Sequence, residues 1–195
     1  MHVKIGIIGK GNVGSALGTA LMAKGHQIRY GHRDPRETVP EAAQWGEVLL
    51  LAVPFSGVKD AVRTIGSAAD GKIVIDVTNA IGENGGLAIG YTTSAAEELQ
   101  KQLPKARVVK AFNTVFAKNQ RSGNVHGIQL TAFIAGDDAA AKQTVANLAK
   151  DIGFDPVDVG TLAAARYLEP MAMMLINLGY GLGMGTDIGY KLVHP

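Results

Sequence analysis

The stretch Val3-Lys4-Ile5-Gly6-Ile7-Ile8-Gly9-Lys10-Gly11-Asn12-Val13-Gly14 decides the fold of this chain. Its first half is short, β-branched and apolar, the pattern of a strand buried on both faces of a parallel sheet. Residues 12–24 are rich in Ala, Leu and Met and are halted by Gly25, which predicts a helix. Between strand and helix, Gly9, Gly11 and Gly14 stand at dinucleotide-binding spacing. In that pattern the first glycine makes the turn, the second lets the backbone approach a pyrophosphate, and the third lets helix and strand pack closely. The helix N-terminus then offers free N–H groups and a partial positive charge to the phosphates. A Gly-x-Gly-x-x-Gly motif alone is a weak signal; a strand before it and a helix after it make it strong. Gly9, Lys10, Gly11, Asn12, Val13 and Gly14 are therefore the candidate phosphate loop.

Outward from this unit, strands and helices alternate. Strands are expected at residues 27–30, 48–53, 72–77, 107–112, 130–135 and 155–159, and helices at 55–65, 94–103 and 137–152. A helical turn fits 41–45, and residues 162–182 form an apolar, Met-rich helical stretch. Ser94 with Glu97 three residues later reads as a capping box. Residues 78–91 form a Gly-rich loop of a length usually reserved for function. The expected fold is α/β, a doubly wound, mostly parallel Rossmann sheet with a short C-terminal helical segment. Residues 1–195 form one domain, with 162–195 capping the site and supplying a dimer contact. Ligands of such sheets lie beyond the carboxyl ends of the strands.

The end of the second strand selects the nucleotide. An NAD site carries Asp or Glu there for the ribose hydroxyls. This chain has Tyr30-Gly31-His32-Arg33 instead. Arg33 suits bidentate capture of a 2′-phosphate, and His32 adds a hydrogen bond, with Arg36 in support. The competing reading is a solvated basic turn in which Asp34 takes the ribose.

At the reacting end, Ala52-Val53-Pro54-Phe55 closes the third strand, where Pro54 marks the exit. Asn79 ends the fourth strand and could bond the nicotinamide ribose or carboxamide; an ordinary turn residue is the alternative. Asn113 and Thr114 end the fifth, where a second ligand would meet the nicotinamide. Lys110 reads as a strand-end cation, with an acid or an anion-binding group as the alternative. No proton-relay spacing is visible, and His2, His26, His32, His126 and His194 lack metal-ligand spacing. Carbonyl reduction needs a placed general acid. Hydride transfer to a flavin-like ring needs mainly close stacking.

Composition excludes other classes. The chain has 195 residues, 25 Gly and no Cys, so no disulfide, thiolate metal site or Cys nucleophile exists. A net charge of +2 does not suggest nucleic acid. The apolar runs 48–53 and 171–178 are too short to span a bilayer, and no leader pattern opens the chain. A cytoplasmic location is expected.

The opening VKIGIIGKGNVGSALGTALMAKGH, the YGHRDP turn, the VVKAFNT strand and the end ARYLEPMAMMLINL with GMGTDIGYKL resemble the NADP oxidoreductases dependent on coenzyme F420. Parts of the pattern are shared with the reductase domains of membrane ferric reductases. The resemblance implies NADP(H) as cofactor and F420 or another flavin as hydride acceptor. It implies pyrophosphate contacts from Lys10 to Val13 and 2′-phosphate contacts from His32 and Arg33. Phe55 and Ala117 would flank the nicotinamide, and Ile188 would close over it. It also implies a homodimer with C-terminal contacts, for which the stripe from Met171 to Leu175 is suited; an internal core helix is the alternative. The segment between Arg33 and the third strand is shorter than in that family, so one edge strand is expected to be missing. Two further readings stand beside this one. Imine or hydroxy-acid chemistry usually needs a helical domain longer than the roughly 35 residues available here. A non-catalytic NADP(H)-binding sensor would keep the loop for binding alone.

Overall fold

The computed structural model describes residues 2–193; Met1, His194 and Pro195 lie outside the described residues. The chain runs β1 (Lys4–Ile8), α1 (Asn12–Ala23), β2 (Gln27–Gly31), α2 (Val39–Trp45), β3 (Val48–Leu51), α3 (Val58–Ile65), β4 (Ile73–Asp76), α4 (Ala95–Gln102) and β5 (Arg107–Lys110). It continues through β6 (Asn124–Val125), β7 (Ile128–Gln129), β8 (Thr131–Gly136), α5 (Ala139–Asp151), β9 (Asp155–Asp158) and α6 (Ala165–Ile176). Seven strands form one sheet in the order β2-β1-β3-β4-β5-β8-β9. This is the α/β Rossmann architecture expected.

β1 to β5 pair in parallel, while β8 is antiparallel to β5 and β9 is parallel to β8. The reversal has a local cause. Between β5 and β8 lie only a 3-10 turn (Ala117–Arg121) and the β6–β7 hairpin, not a crossover helix, so the chain re-enters the sheet from the same end. The hairpin itself was not expected. β2 is an edge strand, consistent with the short segment after Arg33. Helical structure runs to Gly181, close to the expected end at 182, and residues 182–193 lack regular structure. That tail is anchored: Thr131 N–H donates to the Tyr190 carbonyl at 2.9 Å.

Alternation along the strands divides the core in two. Ile5, Ile7, Leu50, Ile75 and Val109 pack with Leu17 and Leu21 of α1 and Val145 and Leu148 of α5. Leu49, Leu51, Val74 and Val108 pack with Ala42 and Ala43 of α2, Val62 of α3, Leu99 of α4 and Leu168 of α6. Leu49 and Leu50 are fully buried, each contributing roughly 1.5–3 kcal/mol of apolar burial. α4 opens as expected, with Ser94 Oγ accepting from Glu97 N–H at 3.2 Å. The two layers hold the carboxyl ends of β1, β3 and β4 side by side, and strand order reverses between β1 and β3.

Candidate dinucleotide-binding site

The three loop glycines occupy three different environments. Gly9 has φ +105°, and a Cβ on it would stand 2.3 Å from the Ala52 carbonyl oxygen. A Cβ on Gly14 would stand 2.2 Å from the Gly9 carbonyl oxygen, so helix and strand close only on hydrogen. A Cβ on Gly11 would meet nothing within 4 Å, and the space above it is open. α1 begins at this open point without a side-chain cap and with no acidic residue in its first turn. Its leading N–H groups are thus left to an anion. The loop combines strain-tolerant glycine where the backbone turns with open space in front of the α1 N-terminus.

Two cavities meet across this loop. One of about 670 Å³ is lined by Gly9, Lys10, Gly11, His32, Arg33, Ala52, Val53 and Pro54, with Asp60 and Thr64 on its far wall. The other, about 360 Å³, is lined by Gly11, Asn12, Val13, Ala52, Val53, Pro54, Phe55, Thr78 and Asn79. They share Gly11 and the 52–54 turn, so the crevice runs from the end of β2 across β1 and β3 to the end of β4. Both volumes fall in the range of small-molecule sites. The Asn79 Oδ1 is buried without a hydrogen-bond partner. A bound carboxamide would satisfy this oxygen, and the expectation of Asn79 as a contact gains a physical reason.

The β2 end is a charge cluster. His32 N–H donates to the Glu37 carbonyl at 2.8 Å, closing the turn and bringing the Glu37 side chain inward. Glu37 Oε2 then accepts from Lys10 Nζ and from His32 Nε2, each at 2.5 Å. These donors hold the Glu37 carboxyl below its ordinary range, Lys10 more than His32. Asp34 is gripped by Arg36 through Nε at 3.0 Å and Nη2 at 2.7 Å, which holds its carboxyl at about 2. Among the described residues Arg33 forms no hydrogen bond or ion pair, and it lines the larger cavity. Arg33 is therefore the free cation of the turn, whereas Arg36 is committed to its neighbour. Glu37 was missed in the sequence because the closure of a turn, not a motif, places it.

The β5 end differs from the expectation. Lys110 is the strand-end cation expected, but it is neither exposed nor a free acid: it is fully buried, and its three donors go to Asp76 Oδ2 at 3.0 Å, Glu169 Oε1 at 3.0 Å and the Thr78 carbonyl at 2.7 Å. Burial opposes its charge, but Asp76 and Glu169 outweigh that and raise its pKa. Burial likewise raises the Glu169 carboxyl above its ordinary range. Asp76 Oδ1 accepts from both Thr78 N–H and Thr78 Oγ1, so the triad stiffens the strand end that carries Asn79. Phe112 takes φ +65° beyond β5. Asn113 then faces α6, donating to the Leu168 carbonyl at 3.0 Å, and Thr114 is buried. Neither lines the two cavities that meet at Gly11. Ala117 lines a third cleft of about 450 Å³ with Ser15, Tyr180 and Asn12, the last of which it shares with the inner cavity. Ile188 lies in the C-terminal tail, where its carbonyl accepts from Asn119 Nδ2 at 3.1 Å, and it lines none of these cavities. Among the described residues no cluster of His, Asp or Glu could hold a metal, and no helix is long and apolar enough to cross a membrane.

A doubly wound sheet with a glycine loop at its switch point and a crevice across it defines a Rossmann-type dinucleotide-binding protein. Residues 4–80 match the family described as NADP oxidoreductase, coenzyme F420-dependent. The F420-dependent NADP reductase of Methanothermobacter marburgensis is 29% identical over 90% of this chain and 92% of its own. Metalloreductase STEAP3 of Rattus norvegicus is 32% identical over 89% of this chain, which spans 37% of that protein's length. A crystal structure of a protein assigned as an F420-dependent NADP-reductase, from Arthrobacter sp. FB24, superposes with a TM-score of 0.91. It is 28% identical, and the match covers 98% of this chain and 100% of that one.

Proposed function

We propose that this chain is an NADPH-dependent reductase that passes a hydride to coenzyme F420 or another flavin-like ring. One observation carries the reading. The inner cavity joins the glycine loop to Asn79, and no Asp, Glu, His, Lys or Arg lines it. Hydride transfer between stacked rings needs orientation rather than a side-chain acid. A carbonyl reductase would place a proton donor there. The dinucleotide supplies the hydride; the residues of the chain hold and orient it. The uncapped first turn of α1 and the space over Gly11 receive the pyrophosphate, with Lys10, Asn12 and Val13 around it. Arg33 and His32 take the 2′-phosphate. Ala52, Val53, Pro54 and Phe55 form the floor, and Asn79 accepts from the carboxamide. The names of the Methanothermobacter and Arthrobacter relatives favour F420 as acceptor.

The test is anaerobic oxidation of NADPH followed at its absorbance against F420, FMN, FAD and riboflavin. Rapid turnover with F420 and slow turnover with NADH is expected. Tight NADPH binding with no turnover on any acceptor would replace this reading with that of a nucleotide sensor. We further propose a cytoplasmic homodimer joined through the C-terminal segment, where Tyr167, Met174, Tyr180 and Met184 are each more than half exposed. Light scattering after size exclusion reads the mass directly.

A further inference from the structure

The turn after β2 holds an anion of its own. Glu37 Oε2 sits between Lys10 Nζ and His32 Nε2, both at 2.5 Å, beside the unpaired Arg33. The backbone enforces this position, through His32 N–H to the Glu37 carbonyl at 2.8 Å and Glu37 N–H to the Asp34 carbonyl at 3.0 Å. The carboxylate thus occupies His32, one of the donors proposed for a 2′-phosphate, and also Lys10 beside the pyrophosphate. We infer that Glu37 is a specificity-determining residue, an internal competitor that weakens the preference for the phosphorylated nucleotide and accepts the ribose hydroxyls of the unphosphorylated one.

The inference rests on nucleotide binding in this crevice. Charge supplies the argument. With Asp34 and Arg36 cancelling each other, Lys10 and Arg33 face a phosphate with Glu37 opposing them. A phosphate must either displace the carboxylate from its two donors or sit beside it and meet like-charge repulsion. A ribose hydroxyl meets neither cost, because it donates where the phosphate can only accept. A pocket that lets both cofactors in differs from an NADP site of cations alone by one such repulsive group.

Calorimetric titration of wild type and Glu37→Gln with 2′,5′-ADP, ADP, NADPH and NADH tests this without turnover. The amide keeps the size of the side chain and removes its charge. Binding of 2′,5′-ADP and NADPH should tighten about fivefold or more, while ADP and NADH stay level or weaken. Glu37 is partly exposed, so unchanged thermal melting is expected to accompany the shift. If NADPH binds wild type and the ratio of NADPH to NADH affinity does not move in Glu37→Gln, the inference fails and the crevice assignment stands. If no nucleotide binds either protein, both fail together.

Discussion

Two ion clusters, built from the same kinds of side chain, flank one crevice: one lies at its β2 end, the other is buried behind Thr78 at its β4 end. At β5, Lys110, Asp76 and Glu169 are 0%, 1% and 0% exposed, and every Lys110 donor is taken. At β2, Lys10, His32 and Glu37 retain 41%, 25% and 35% exposure. Water explains the difference in role. A buried ion cannot exchange its partner without crossing a low-dielectric barrier, so the triad is architecture. A half-solvated ion pair is weak and replaceable, so the β2 cluster can trade its internal carboxylate for a ligand. Burial, not residue type, separates a brace from a binding site.

Breaking the brace should produce the largest effect. Lys110→Met leaves Asp76 and Glu169 buried without their cation, and a loss of about 3–5 kcal/mol in urea unfolding is expected. The pH dependence has a definite sign. The folded pKa of Lys110 lies above its ordinary 10.5, so its stabilisation is complete below that value and is lost as pH rises through the folded one. Wild type should therefore lose stability above pH 10.5, and Lys110→Met should lack that decline. A variant as stable as wild type at neutral pH would remove the distinction between the two clusters.

The glycine loop gives the next contrast. Gly9→Ala puts a side chain at φ +105° and against the Ala52 backbone, so roughly 1–3 kcal/mol of stability should go, together with nucleotide binding. Gly11→Ala meets no protein atom within 4 Å. It should melt as wild type does and still bind NADPH at least about tenfold more weakly, because the methyl occupies the phosphate cradle. Melting curves and titrations on both variants separate folding from binding. Next comes Arg33→Ala, for which a loss of about 1.5–3 kcal/mol in NADPH affinity is expected from one charge-assisted contact, with NADH unaffected. Normal NADPH binding in that variant would mean that Arg33 is not the phosphate clamp.

Much of this was readable in the sequence. Val3 to Gly14 carries its own fold signature, and β1, β3, β4 and β8 are short apolar runs, whereas the edge strands β2 and β9 mix polar and apolar residues. Direction was not readable: β8 is buried on both faces, so its pattern is the same whether it runs parallel or antiparallel to β5. The glycine turn between β1 and α1 and a cation in place of a carboxylate after β2 were legible because glycine spacing and a missing carboxylate are local facts. The partners of Lys110 come from β4 and α6, and Glu37 owes its place to the folding back of a turn. Neither arrangement leaves a trace in spacing. Asn113 shows a related limit: a strand-end position fixes where a residue stands, but not that its amide nitrogen donates to the Leu168 carbonyl of α6.

The smallest effect expected is also the sharpest check on the β2 end. Arg33 and Arg36 are three positions apart and look equivalent in sequence, but only Arg36 is held in a two-bond pair with Asp34. Arg36→Ala should shift NADPH affinity only slightly, and the shift should come from the carboxylate it releases rather than from a lost phosphate contact. Asp34 would then stand as a bare anion near the phosphate and weaken binding a little. The double variant Arg36→Ala with Asp34→Ala should therefore bind NADPH as wild type does, because it removes two charges that already cancel. If the double variant binds as poorly as Arg33→Ala, Arg36 reaches the phosphate after releasing Asp34, and partner exchange extends across the whole turn.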